Sequence, residues 1–208
     1  HSDLRRQRQM CIRDRHTRLG VDDRYPACLR QLTVELRDEL RAAYVESAEG
    51  EGASVITDKM PINYRNVALI TALFPEARII HCVRDAMDTC FSCYATGFLA
   101  EHTYAGDLRD LAVVYRGYRR LMEHWRSLDG LEILDVEYES MVRDQEATTR
   151  RVLEHCGLPW DDACLRFHET DRVVRTASID QVRTPMYTGS IGRAARFEKH
   201  LGVLRKGL

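Results

Sequence analysis

Apolar positions recur every three or four residues over 25–48, where Leu29, Leu32, Leu36, Leu40 and Tyr44 share one stripe. This spacing predicts a helix that Gly50 and Gly52 break. The short apolar run 54–57 (Ser-Val-Ile-Thr) is a candidate strand. A helix is expected over 64–74, closed by Pro75. The run 77–83 (Ala-Arg-Ile-Ile-His-Cys-Val) is nearly continuous and apolar, as a strand buried on both faces should be. A helix over 86–99 and the longest helix, 107–128, come next. In the latter, Leu108, Leu111, Tyr115, Tyr118, Met122 and Trp125 form a stripe expected to pack in the core. Gly130 precedes a third strand, 131–136, and 140–156 is again helical. Gly157-Leu158-Pro159 makes a turn, a short helix covers 161–167, and 171–195 is polar without a clear period.

Strands alternating with helices imply an α/β fold, a parallel sheet flanked by helices with ligands at the carboxyl ends of the strands. No internal repeat or second domain is visible. The arginine-rich stretch 1–15 has almost no apolar face, and it reads as a non-native-looking or disordered tail rather than a nucleic-acid-binding arm. The domain is read as 16–208. The chain starts at His1 rather than Met, which suggests a piece of something longer.

Charge narrows the partners. Thirty-one Lys and Arg against 32 Asp and Glu leave no basic excess, which argues against a general nucleic-acid or membrane-surface binder. No apolar run approaches the ~20 residues a membrane span requires. Seven cysteines are odd in number and irregularly spaced, which favours a reducing, cytoplasmic setting over a disulfide framework. Cys90 and Cys93 form a CxxC without a second pair inside a helical pattern, and no histidine motif supports a metal site.

Two strand-to-helix turns carry candidate chemistry. Lys59, in Thr57-Asp58-Lys59-Met60-Pro61, follows the first candidate strand and is available to an anion. Arg84 leaves the second strand at the start of a helix, where free N–H groups and the helix dipole already favour anions. Its planar fork suits a phosphate. Asp85, Asp88 and Ser92 share a stripe on that helix, so the Ser92 hydroxyl could complete a phosphate site. The plainer alternative has Asp85 capping the helix and Arg84 paired with a nearby carboxylate.

The stretch 58–94, DKMPINYRNVALITALFPEARIIHCVRDAMDTCFSCY, resembles the P-loop-like sulfotransferases that use 3′-phosphoadenosine-5′-phosphosulfate. The likeness is to the bacterial repeat-linked branch related to the tyrosylprotein sulfotransferases. Similar segments continue at 115–118, 122–126, 136–139, 174–183 and 192–193, so that the resemblance spans about 16–205. It implies that Arg84 and Ser92 grip the cofactor's 3′-phosphate, with Arg193 as a further basic contact. It places Lys59 on the transferring sulfonate, Tyr138 beside the cofactor and Ser178 at the transition state. Asp180, Gln181, Val182 and Arg183 belong to a loop folding over the nucleotide. The partners implied are this nucleotide, an unidentified hydroxyl acceptor and a helical-repeat domain upstream in the parent. No metal is needed, because sulfuryl transfer, like phosphoryl transfer, should rest on positioning and electrostatics.

Two departures qualify this expectation. The family's first strand, its glycine-rich phosphosulfate loop and a Gly-Glu motif bearing the general base find no match here. Ala194 also stands where an aromatic residue usually follows Gly-Arg. The expected fold is therefore a P-loop NTPase-like sulfotransferase fold lacking its first strand and phosphosulfate loop, and the 208 residues alone are expected to be inactive. The rival readings are a nucleotide-binding phosphotransferase of related fold, disfavoured by the missing GxxxxGK[ST] loop, and a non-catalytic interaction module using the 108–125 helix face.

Overall fold

A computed structural model describes residues 25–47, 54–97, 102–169 and 183–208. The chain forms two compact units, 1–77 and 78–208. The expected tail 1–15 lies outside the described residues.

In the first unit a 3-10 turn, Ala27–Gln31, precedes helix α1, Val34–Ser47, rather than continuing it. Thr33 starts α1 by accepting the Leu36 N–H on its hydroxyl at 3.3 Å. Helix α2, Val67–Leu73, follows a 3-10 turn at Asn63–Arg65 and buries Val67, Leu69 and Leu73. The two helices meet where Tyr44 packs on Phe74, ring centroids 5.3 Å apart, and where Arg41 pairs with Glu76. The candidate strand 54–57 is not one: its backbone is irregular and Val55 and Ile56 are exposed. Strand conformation needs a neighbouring strand to take its hydrogen bonds, and among the described residues no strand pairs with this run.

The second unit holds β1, Ile79–Val83, and β2, Ile133–Glu137, paired in parallel with His81 opposite Asp135 and Val83 opposite Glu137. Between them run α3, Ala86–Thr96, and α4, Leu108–Arg126. Asp85 caps α3, Asp107 caps α4, and Gly97 ends α3. The expected burial of β1 on both faces is corrected: Ile79, His81 and Val83 are half-buried, whereas Ile80 is 39% exposed and Cys82 is exposed. Alternation along the pleat turns these two away from α4.

The helical run after β2 is two helices, α5, Tyr138–Arg143, and α6, Gln145–Cys156. Asp144 divides them, because its carboxylate caps α6 by accepting the Ala147 N–H at 3.0 Å. Beyond a 3-10 segment, Asp162–Glu169, the chain ends in another, Arg193–His200, and a final helix α7, Gly202–Gly207.

The core of this unit joins α3, α4 and the C-terminal segment: Cys90, Phe91, Leu111, Ala112, Ala194, Leu201 and Leu204. From the α4 stripe Leu111, Met122 and Trp125 are buried, and Leu108 and Tyr115 pack against this cluster. The stripe is core, as its period predicts, so it is not an exposed docking face. Gly207 is required by close approach, since a Cβ there would lie 2.7 Å from the Cβ of Ala112.

Candidate functional site

The carboxyl end of β1 assembles residues distant in the chain. Arg84, directly after the strand, donates from Nη2 to the carbonyl of Ser190 at 2.6 Å. The centre of its guanidinium lies 4.9 Å from the centroid of the Tyr138 ring, which opens α5 at the end of β2. That cation–π contact holds the planar group in place without using an N–H. Among the described residues Nε is buried without a hydrogen-bond partner. The side chain is 22% exposed.

Asp85 caps α3 by accepting the Asp88 N–H at 2.8 Å, while its own N–H donates to Glu139 Oε1 at 3.0 Å. Asp88, one turn on, is 1% exposed. Its Oδ2 accepts the Gly192 N–H at 2.6 Å and its Oδ1 the Ala194 N–H at 2.7 Å. Arg84 Nη2 is 3.8 Å from Oδ2, an ion pair beyond hydrogen-bond reach. Gly192 takes the left-handed conformation, φ 69°, that turns the chain into this contact. Arg193, between the two donating amides, sets its guanidinium 5.6 Å from the centroid of the Phe91 ring. Ser92 follows Phe91, half-buried and one turn beyond Asp88 on the same helix face.

Arg84, Tyr138, Ser92 and Arg193 therefore gather around the first two turns of α3. Arg183 is exposed at the start of the last described stretch. Lys59 belongs to the first unit, exposed on irregular backbone beside Asp58, which accepts the Tyr44 hydroxyl. Ser178, Asp180, Gln181 and Val182 lie outside the described residues. The sequence alone marks Asp88 only as part of a stripe, and Ser190 and Phe91 not at all. The i, i+4 spacing of Arg84 and Asp88 is the one local signal. The plainer alternative holds: Asp85 is the cap, and Arg84 forms an ion pair with a nearby carboxylate, Asp88, at 3.8 Å.

The thiols beside this site are held neutral. Burial pushes Cys90 up to about 12, with Cys93 and Asp85 adding to it, and burial also raises Cys93 against the pull of Arg84. Neither offers a thiolate at neutral pH. Among the described residues no group of three or more His, Cys, Asp or Glu is placed to hold a metal ion, and no helix is long and apolar enough to cross a membrane.

The family model described as "Sulfotransferase family" matches residues 2–162. That stretch contains Lys59, Arg84, Ser92 and Tyr138, while Arg183 and Arg193 lie beyond it. An uncharacterized protein of Aquifex aeolicus is 39% identical over 149 residues, 70% of this chain and 20% of that protein. Protein-tyrosine sulfotransferase A of Caenorhabditis elegans is 25% identical over 134 residues, 64% of this chain and 35% of that one. The omega-hydroxy-beta-dihydromenaquinone-9 sulfotransferase Stf3 of Mycobacterium tuberculosis is 27% identical over 108 residues, 48% of this chain and 28% of that one. The chain thus spans 20% to 35% of the length of these relatives.

Proposed function

The chain belongs to the sulfotransferase family, and from that premise we propose that it carries the 3′-phosphate-binding part of an enzyme that moves a sulfuryl group from 3′-phosphoadenosine-5′-phosphosulfate to a hydroxyl acceptor. The observation that carries this reading is the state of Arg84. It stands at the carboxyl end of a parallel strand, oriented by Tyr138 and Ser190, with Nε unpartnered among the described residues. A guanidinium so fixed and so under-used suits a phosphate, which offers several acceptor oxygens.

The residues present fit the nucleotide. Arg84 and Ser92 would donate to its 3′-phosphate, and Arg193 would add a second positive charge from the segment pinned to α3. Three carboxylates lie here, and each already accepts backbone amides: Asp88 those of Gly192 and Ala194, Asp85 that of Asp88, and Glu139 that of Asp85. Tyr138 would lie beside the cofactor while keeping Arg84 flat. The bound nucleotide supplies an activated sulfuryl group on a phosphate leaving group. Lys59 and Ser178 are assigned to the sulfonate oxygens, and the loop with Asp180, Gln181, Val182 and Arg183 to covering the nucleotide and excluding water. The finer fold reading, a P-loop NTPase-like sheet, is supported by the parallel strand pair and its carboxyl-end site. Free cysteines among the described residues support a reducing, cytoplasmic setting.

Because these 208 residues contain no glycine-rich phosphosulfate loop, they are expected to lack substantial turnover, and the decisive measurement is binding. Calorimetry without Mg²⁺ should show adenosine 3′,5′-bisphosphate bound in preference to ATP. Equal or tighter binding of ATP would overturn the proposal and favour a phosphotransferase.

A further inference from the structure

We infer that Asp88 is a positioning residue for the 3′-phosphate: its carboxylate fixes Arg193 relative to Arg84 and so sets the spacing of the two guanidinium groups. This rests on the cofactor reading above.

The geometry has three parts. Asp88 is buried at 1% exposure, and one amide on each side of Arg193 donates to it, Gly192 to Oδ2 at 2.6 Å and Ala194 to Oδ1 at 2.7 Å. Both are charge-assisted bonds to a group that water does not reach, so the Arg193 backbone is held at two points. Secondly, Arg84 and Asp88 bind the same short segment, since Arg84 Nη2 holds the Ser190 carbonyl. Thirdly, the 3.8 Å from Asp88 Oδ2 to Arg84 Nη2 is close enough to attract the guanidinium yet consumes none of its N–H groups. A carboxylate used in this way holds the Arg193 backbone through its flanking amides while pairing with Arg84 without a direct hydrogen bond. The cap bond from the Asp88 N–H to Asp85 anchors the residue to the helix start beside Arg84.

An Asn at this position keeps the size but offers one acceptor, and its NH₂ would face an N–H. One amide then loses its partner and the local negative charge disappears. The segment bearing Arg193 should loosen, with the loss confined to ligands that use both arginines.

The test is calorimetry on the full 208-residue chain with adenosine 3′,5′-bisphosphate and with 5′-AMP, which lacks the 3′-phosphate. Asp88→Asn should weaken the bisphosphate about tenfold and leave 5′-AMP within twofold. A purely structural role would weaken both alike, and that result, or an unchanged bisphosphate affinity, overturns the inference. If Asp88→Asn does not fold, Ala194→Pro removes the amide that binds Oδ1 while keeping the carboxylate. It should give a smaller loss, about threefold, with the same selectivity, and a loss shared by both nucleotides, or none, again overturns it. Failure of the unaltered chain to prefer the bisphosphate over 5′-AMP defeats the cofactor reading itself and the inference with it. An intact preference that neither variant changes defeats the role of Asp88 alone.

Discussion

Strand β1 carries two polar clusters three residues apart, and they are built on opposite principles. At mid-strand, His81 binds Asp135 across the strand pair, Nδ1 to Oδ1 at 2.6 Å, while its Nε2 bonds to the Tyr118 hydroxyl of α4. Arg126 closes the group by donating Nε to Asp135 Oδ2 at 3.0 Å and Nη2 to Oδ1 at 2.7 Å. The side chains there pair with one another, Arg126 Nη2 also lying 3.0 Å from His81 Nδ1, and the group ties α4 to both strands. At the carboxyl end, the only buried carboxylate among the described residues, Asp88, is spent on backbone amides, and Arg84 keeps its Nε donor unpartnered. A polar cluster that satisfies itself is scaffold, whereas one left short of acceptors is prepared for a ligand.

The comparison can be broken most severely at Arg84. Arg84→Ala should cost on the order of 1.5–3 kcal/mol of bisphosphate affinity, read by calorimetry, since a charged hydrogen-bonding group to phosphate is lost. An unchanged affinity would remove Arg84 from the site. Asp135→Ala is the converse probe: nucleotide affinity should stay within twofold while stability to urea falls. Asp135 is 43% exposed, so solvent screening keeps that loss to about 1 kcal/mol. The same variant should alter the acid limb of stability. Burial alone would raise the Asp135 carboxyl, but hydrogen bonds from Arg126 and His81 outweigh it and hold the group below its ordinary value. Its contribution is therefore present above the unfolded carboxylate range near ~4 and disappears as pH falls through the lower folded value. Stability should decline more gently below about pH 4 in Asp135→Ala, and an identical acid limb would deny the cluster its role. Tyr118→Phe, which removes one hydroxyl from His81, should have the smallest effect, about 0.5–1 kcal/mol in urea melts with nucleotide affinity unchanged. A larger drop in affinity than in stability would show the two clusters to be coupled.

Much of the framework could be read from local pattern. The α4 stripe predicts which side packs inward, because helical period and burial are the same information. Asp85, Asp107 and Gly97 mark helix ends through their own chemistry. Arg84 is legible as a candidate because a strand and a helix start flank it in sequence. Ala194, Leu201 and Leu204 are core residues in a segment whose charged composition hides any apolar period, so the 3-10 run at 193–200 and helix α7 escape prediction. The run 54–57 shows the opposite error, apolar and β-branched yet without a partner strand among the described residues.

By itself, then, the sequence determined the caps, the periods and the kind of side chain at the strand's end, since these depend on residues within a turn or two of one another. Which donors remain free was decided only in three dimensions. Asp88 and the amides it accepts are separated by 104 and 106 positions, and Arg84 meets the Ser190 carbonyl across 106. No local pattern encodes such a pairing, because the fold brings those groups together and hydrogen bonding then consumes the carboxylate and leaves the arginine.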